Sequence, residues 1–147
     1  MPFISTQVGC IYAFQWDGRV LAEDFAASRP QIEAAVRSTN QKVYHLVFMP
    51  AGLEQPTAEV RAIAIKETEH SLSLCAAMDL VILGEGVMMS LQRTMVRGMV
   101  MLLPRFRHNV WLHSTAREAL TRIAGETALD VESTLTTLRG KGFSVGA

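Results

Sequence analysis

The chain has little of what would tie it to a disulfide scaffold, a metal or a membrane. It holds two cysteines, Cys10 and Cys75, far apart and without C-x-x-C spacing. Both sit in apolar runs, where a free cysteine behaves as a small hydrophobe. That usage argues against a disulfide framework and fits a reducing compartment. Four histidines occur without H-E-x-x-H, H-x-H or a Cys/His cluster, so neither a metal nor a cofactor is expected. The longest helix-like apolar segment carries Arg93 and Arg97 and is shorter than the roughly 20 residues of a membrane span. The opening MPFISTQVGCIYAFQWDG has neither the basic nor the apolar region of a secretory signal. The expectation is a soluble, cytoplasmic protein.

Net charge is also lacking. Lys+Arg and Asp+Glu number 14 each, which argues against coating nucleic acid through bulk charge. The balance is uneven along the chain. Residues 1–85 carry 6 basic and 10 acidic side chains, whereas residues 86–123 carry 6 arginines against Glu118 alone. Such asymmetry produces a local anion-attracting face on a neutral molecule.

What is present is apolar and periodic. A chain of 147 residues is one domain's worth, and 49% hydrophobic residues supply a core. CIYAFQW alternates Ile11, Ala13 and Gln15 with Tyr12, Phe14 and Trp16, the period of a strand. Phe3–Val8 pairs with it across Gly9 as a short first strand. Leu21 to Ser38 reads as helix, divided into two short helices at Pro30. Val43–Met49 is a continuously apolar strand, as a central strand buried on both faces would be. After Pro50, Gly52 and Pro56, Thr57 caps a helix running to about Leu74. Leu80–Leu83 is a further strand, and Met88 to Leu103 a Met-rich helix. Val110–His113 is the last strand, followed by a helix that opens on the capping box Thr115-x-x-Glu118. Beyond Gly125 a helix at Val131–Leu138 precedes a loose, Gly-rich tail. The organisation expected is one domain over residues 1–125 and a C-terminal helix and tail over 126–147. Its class is α/β, with a mixed, mostly parallel four- or five-stranded sheet and flanking helices.

Three fragments carry a family resemblance. WDGRVLAEDF, KVYHLVFM and NVWLHSTAREAL resemble, in order and content, the second strand with its turn, the strand before the regulatory loop, and the last strand with its helix in STAS-type domains. That family is named for sulphate transporters and anti-sigma-factor antagonists. The resemblance covers about residues 9–124. It implies a STAS-like fold and action by binding a protein. The antagonists place an Asp-Ser-Ser type segment, with its phosphorylated serine, after the third strand. Here that loop is MPAGLEQPT, with no serine and Thr57 as its first hydroxyl. The chain therefore resembles a degenerate STAS-like branch, related in shape to lipid-carrying Sec14-type domains, with Leu53, Glu54 and Thr57 in the loop where the switch would lie.

No reactive constellation stands out. Gly84-Glu85-Gly86 lacks the third glycine of a dinucleotide loop and reads as a tight turn. No G-x-S-x-G elbow or Walker loop occurs. Met88, Met95 and Met99 form an adaptable apolar stripe, and Arg93, Arg97, Arg105 and Arg107 follow on the same segment, so these are the candidate partner- or ligand-binding residues. The expected function is a non-enzymatic protein-interaction module that binds a partner or itself as a homodimer. The alternative is a small lipid or apolar-ligand binding protein, and, further off, an enzyme of another mechanism.

Overall fold

A computed structural model describes residues 3–51, 54, 56–84 and 87–146, and gives the backbone alone for residues 87–89, 91, 92, 95, 99, 102 and 105. Five strands form one sheet: β1 (Phe3–Val8), β2 (Ile11–Trp16), β3 (Tyr44–Met49), β4 (Ala77–Ile82) and β5 (Val110–His113). They lie side by side in chain order. β1 and β2 are antiparallel, with Val8 opposite Ile11. Gly9, at φ +56°, occupies the first central position of that two-residue hairpin loop, where a left-handed backbone is needed. The pairs β2–β3, β3–β4 and β4–β5 are parallel. The expected α/β class, single mixed sheet and parallel majority are all present.

Parallel neighbours require crossovers, and helices supply them: α1 (Ala22–Ser38), α2 (Ala58–Leu74), and α3 (Val87–Leu102) with the short α4 (Pro104–Arg107). Because strand order always advances in one direction, crossovers of one hand bring their helices to one face of the sheet. On that face Phe25, Ile32, Val96, Val100 and Phe106 meet Tyr12, Phe14, Trp16, Val47 and Met78. The opposite face, bearing Ile11, Ala13, Leu46, Phe48 and Val81, is closed by α5 (Ala116–Ala124), α6 (Val131–Gly140) and the residues after them.

Local chemistry explains most boundaries. Thr57 Oγ1 accepts the Val60 N–H at the start of α2. Thr115 Oγ1 accepts the Glu118 N–H at the start of α5, while the Glu118 carboxylate returns to the Ser114 N–H. Asp24 does similar work at α1, accepting the Leu21 N–H at 2.9 Å.

Three expectations need correction. α1 is one helix, not two: Pro30 and Ala26, whose carbonyl would otherwise accept the N–H that proline lacks, are both exposed, and the helix runs through. β4 begins at Ala77 rather than Leu80, because the carboxylate of Asp79 is neutralised inside the sheet layer and does not end the strand. The tail is not loose. Gly142, at φ +92°, turns the chain back after α6. Phe143 and Val145 then enter the core, with Phe143 5.5 Å from the Phe48 ring. The Ser144 N–H is held by Gln15 Oε1 at 2.8 Å.

Candidate functional site

Alternation along a strand places every second side chain on one face. On β2 and β3 this aligns Phe14, Trp16, His45 and Val47 beneath α1–α3. The helices do not settle fully onto them. A cavity of about 300 Å³ remains, with Ile32 of α1, Ala64 of α2 and Val96 of α3 among its walls. It opens to solvent on one side, where exposed Glu54 and Arg61 form part of its rim.

The hydroxyls of Ser28 and Thr68 in the walls are spent on helix carbonyls, which leaves two polar tips with unused capacity. Trp16 is 9% exposed, and its Nε1 has no hydrogen-bond partner among the described residues. His45 is 7% exposed. Its Nδ1 lies 2.9 Å from Ser71 Oγ, and its Nε2 has no partner among the described residues. Burial lowers the His45 pKa to about 4, so the ring is neutral at physiological pH. Ser71 and His45 thus resemble a nucleophile–base pair in distance only. Ser71 is 2% exposed, and a base of pKa about 4 has little drive to take a hydroxyl proton near neutrality. Cys75, one helical turn on, is buried, and burial pushes its thiol pKa up, which leaves it unreactive.

Charged groups at the cavity edge are engaged with one another. Glu54 pairs with Arg19 at 2.7 Å, and Glu67 with Arg29 at 3.4 Å. His70 Nε2 lies 3.2 Å from Glu33. The last two contacts tie α1 to α2. Arg61 is exposed and donates to the Pro56 carbonyl at 3.3 Å.

A second polar cluster lies on the other face. Asp79, fully buried, receives two 2.6 Å hydrogen bonds from Nε and Nη2 of Arg122. His113 Nε2 is 2.8 Å from the same carboxylate. Arg122 also donates to Glu126 at 3.0 Å, and the Tyr44 hydroxyl donates to the other Glu126 oxygen. The guanidinium lies 4.9 Å from the Trp111 ring centroid. Burial opposes the charge on Arg122, but Asp79 and Glu126 outweigh it and its pKa is raised. The Tyr44 pKa is pushed up to about 12, first by burial and then by Glu126. Every charge here has a partner, so the cluster fastens α5 to β3, β4 and β5. Sequence reading passed over it, although a lone aspartate within an apolar strand run was the signal.

The sequence candidates are dispersed. Arg93 is partly buried and donates to the carbonyls of Ile82 at 2.9 Å and Gly84 at 2.5 Å, closing the end of β4. Two of its donor contacts are therefore spent within the fold. Arg97 and Arg107 are exposed. The side chains of Met88, Met95, Met99 and Arg105 lie outside the described residues, as do Leu53, Glu85 and Gly86. Thr57 is spent as a helix cap, and Glu54 is ion-paired. The cavity takes its buried, unpartnered polar atoms from β2 and β3, which sequence reading had assigned to packing.

The class defined by the architecture is a mixed α/β domain with a five-stranded sheet and flanking helices. Comparison with protein-family models, with curated proteins and with solved structures finds no match. Among the described residues, no helix is long and apolar enough to cross a membrane, and no cluster of three metal-ligating side chains occurs.

Proposed function

We propose that the protein is a non-enzymatic binding module that seats a small, largely apolar molecule between its sheet and α1–α3. The cavity carries this reading. Its 300 Å³ equals the liquid volume of roughly ten waters and falls at the lower end of ordinary ligand sites. Its walls are mostly apolar, so water that fills it makes few hydrogen bonds there. An apolar occupant returns that water to bulk. The uncharged dye N-phenyl-1-naphthylamine should brighten on binding the wild type. Ala64→Phe, which fills the space from α2, should abolish the signal while leaving the circular dichroism unchanged. No brightening of the wild type, or equal brightening of the variant, would refute the reading.

A second reading is a STAS-like module that binds a protein partner or a second copy. The element order supports it, and so does Trp111, which is 44% exposed on the edge strand β5. Analytical ultracentrifugation should then show self-association weakened by Trp111→Lys. A wild type that stays monomeric at high concentration removes the homodimer version.

A further inference from the structure

Resting on the ligand-binding reading of the cavity, we infer that its occupant is uncharged and carries a hydrogen-bond-accepting oxygen, an alcohol or carbonyl on an apolar body of about ten heavy atoms, seated with that oxygen at Trp16 Nε1.

The acceptor requirement comes from the indole. An indole N–H donates and never accepts. Trp16 forms part of the cavity wall, yet its Nε1 is shielded from water and meets no acceptor among the described residues. Edge-on contacts with Phe14 at 4.8 Å and Phe25 at 5.6 Å surround the ring with carbon. A buried donor in that state carries its full desolvation cost. The ring lines the cavity while Nε1 itself presents no surface to it, so the proposal requires the ring to turn as the occupant's oxygen seats.

His45 does not compete for the same oxygen. Its register partner on β2 is Tyr12, four residues before Trp16, so their strand positions are about 13 Å apart. One oxygen cannot reach both. His45 already has Ser71, whereas the Trp16 indole N–H has no hydrogen bond among the described residues.

The absence of charge comes from the rest of the lining. His45, the buried ionisable group of the wall, is neutral near pH 7 and offers an anion no countercharge. Glu54 and Glu67 are held by Arg19 and Arg29, and His70 by Glu33. Arg61 also lines the cavity, but it is exposed to water at the rim and donates to the Pro56 carbonyl. A carboxylate drawn inside would lose its hydration without a partner.

Displacement of N-phenyl-1-naphthylamine by octane, 1-octanol and octanoate at pH 7 tests this on the full chain, wild type and Trp16→Phe. We expect 1-octanol to displace the dye more tightly than octanoate. Trp16→Phe should weaken 1-octanol about tenfold and leave octane unchanged. Octanoate binding tighter than 1-octanol on the wild type would overturn the uncharged assignment, even if the variant failed to fold. Equal behaviour of 1-octanol on both proteins would mean that the indole is satisfied by water, and would overturn the oxygen assignment while the cavity reading stands. Failure of all three compounds to displace the dye would sink the cavity reading as well.

Discussion

Replacing Arg122 by methionine removes the principal partner of Asp79 and leaves the rest of the sheet in place. The carboxylate is fully buried and takes both of its shortest bonds from that guanidinium. Breaking a buried pair on one side costs about 3–5 kcal/mol, because the remaining charge is stranded. Arg122 is 14% exposed and His113 stays beside Asp79, so the low end applies, about 3 kcal/mol. At about 2–4 °C per kcal/mol for a chain of this size, Tm falls by about 6–12 °C. The informative variant is the double, Asp79→Leu with Arg122→Met. Exchanging a buried pair for apolar side chains is often neutral or better. The double variant should therefore be more stable than Arg122→Met alone, by about 2 kcal/mol. Urea titrations followed by far-ultraviolet circular dichroism give both free energies, with a common slope confirming comparable unfolding. If the double variant is no more stable than Arg122→Met alone, Asp79 and Arg122 are not a coupled unit, and the account of how α5 is fastened fails.

His45 predicts a pH window. Its folded pKa of about 4 lies below the ordinary 6.5, so the unfolded chain binds the extra proton between those values. Its contribution is whole above about pH 6.5 and is lost as pH falls towards 4, for a total of about 3 kcal/mol. His45→Phe should flatten the stability profile across that interval in chemical denaturation, and an unchanged slope would contradict neutral burial. The arginines of α3 should separate: Arg93→Ala loses two bonds to carbonyls at the end of β4 and should cost about 2 kcal/mol, while exposed Arg97→Ala should cost less than about 0.5. Thermal melts showing equal losses would refute that division of labour.

Much of the fold was legible because its signals are local. The alternation of Tyr12–Trp16, the cap at Thr57 and the box at Thr115 each depend on a few neighbouring residues, and each appears where its chemistry places it. The misreadings occur where distant partners decide. Asp79 looks like a strand breaker until Arg122, 43 residues on, neutralises it. Gly140 and Gly142 look like a loose tail until Phe143 meets Phe48. The cavity was not legible at all, since a void is set by how far three helices stand from a sheet. Its polar tips were in view, however: Trp16 and His45 are polar-ended rings whose same-face neighbours along their strands, Phe14, Val43 and Val47, are apolar, while the methionines and arginines of α3 carry the more obvious pattern.

The one-sided placement of the crossover helices also has a consequence in time. Each of those helices can cover its share of the sheet as soon as it is made. The other face, with Ile11, Leu46 and Phe48, waits for α5, α6 and Phe143. Roughly 70 residues separate the end of β3 from the start of α5, about 3 to 14 seconds of synthesis at 5–20 residues per second. For that interval a nascent chain displays a broad strip of bare aliphatic and aromatic surface. A chain that stalls or is cut within it is a sticky intermediate and a chaperone client, rather than a smaller version of the same protein.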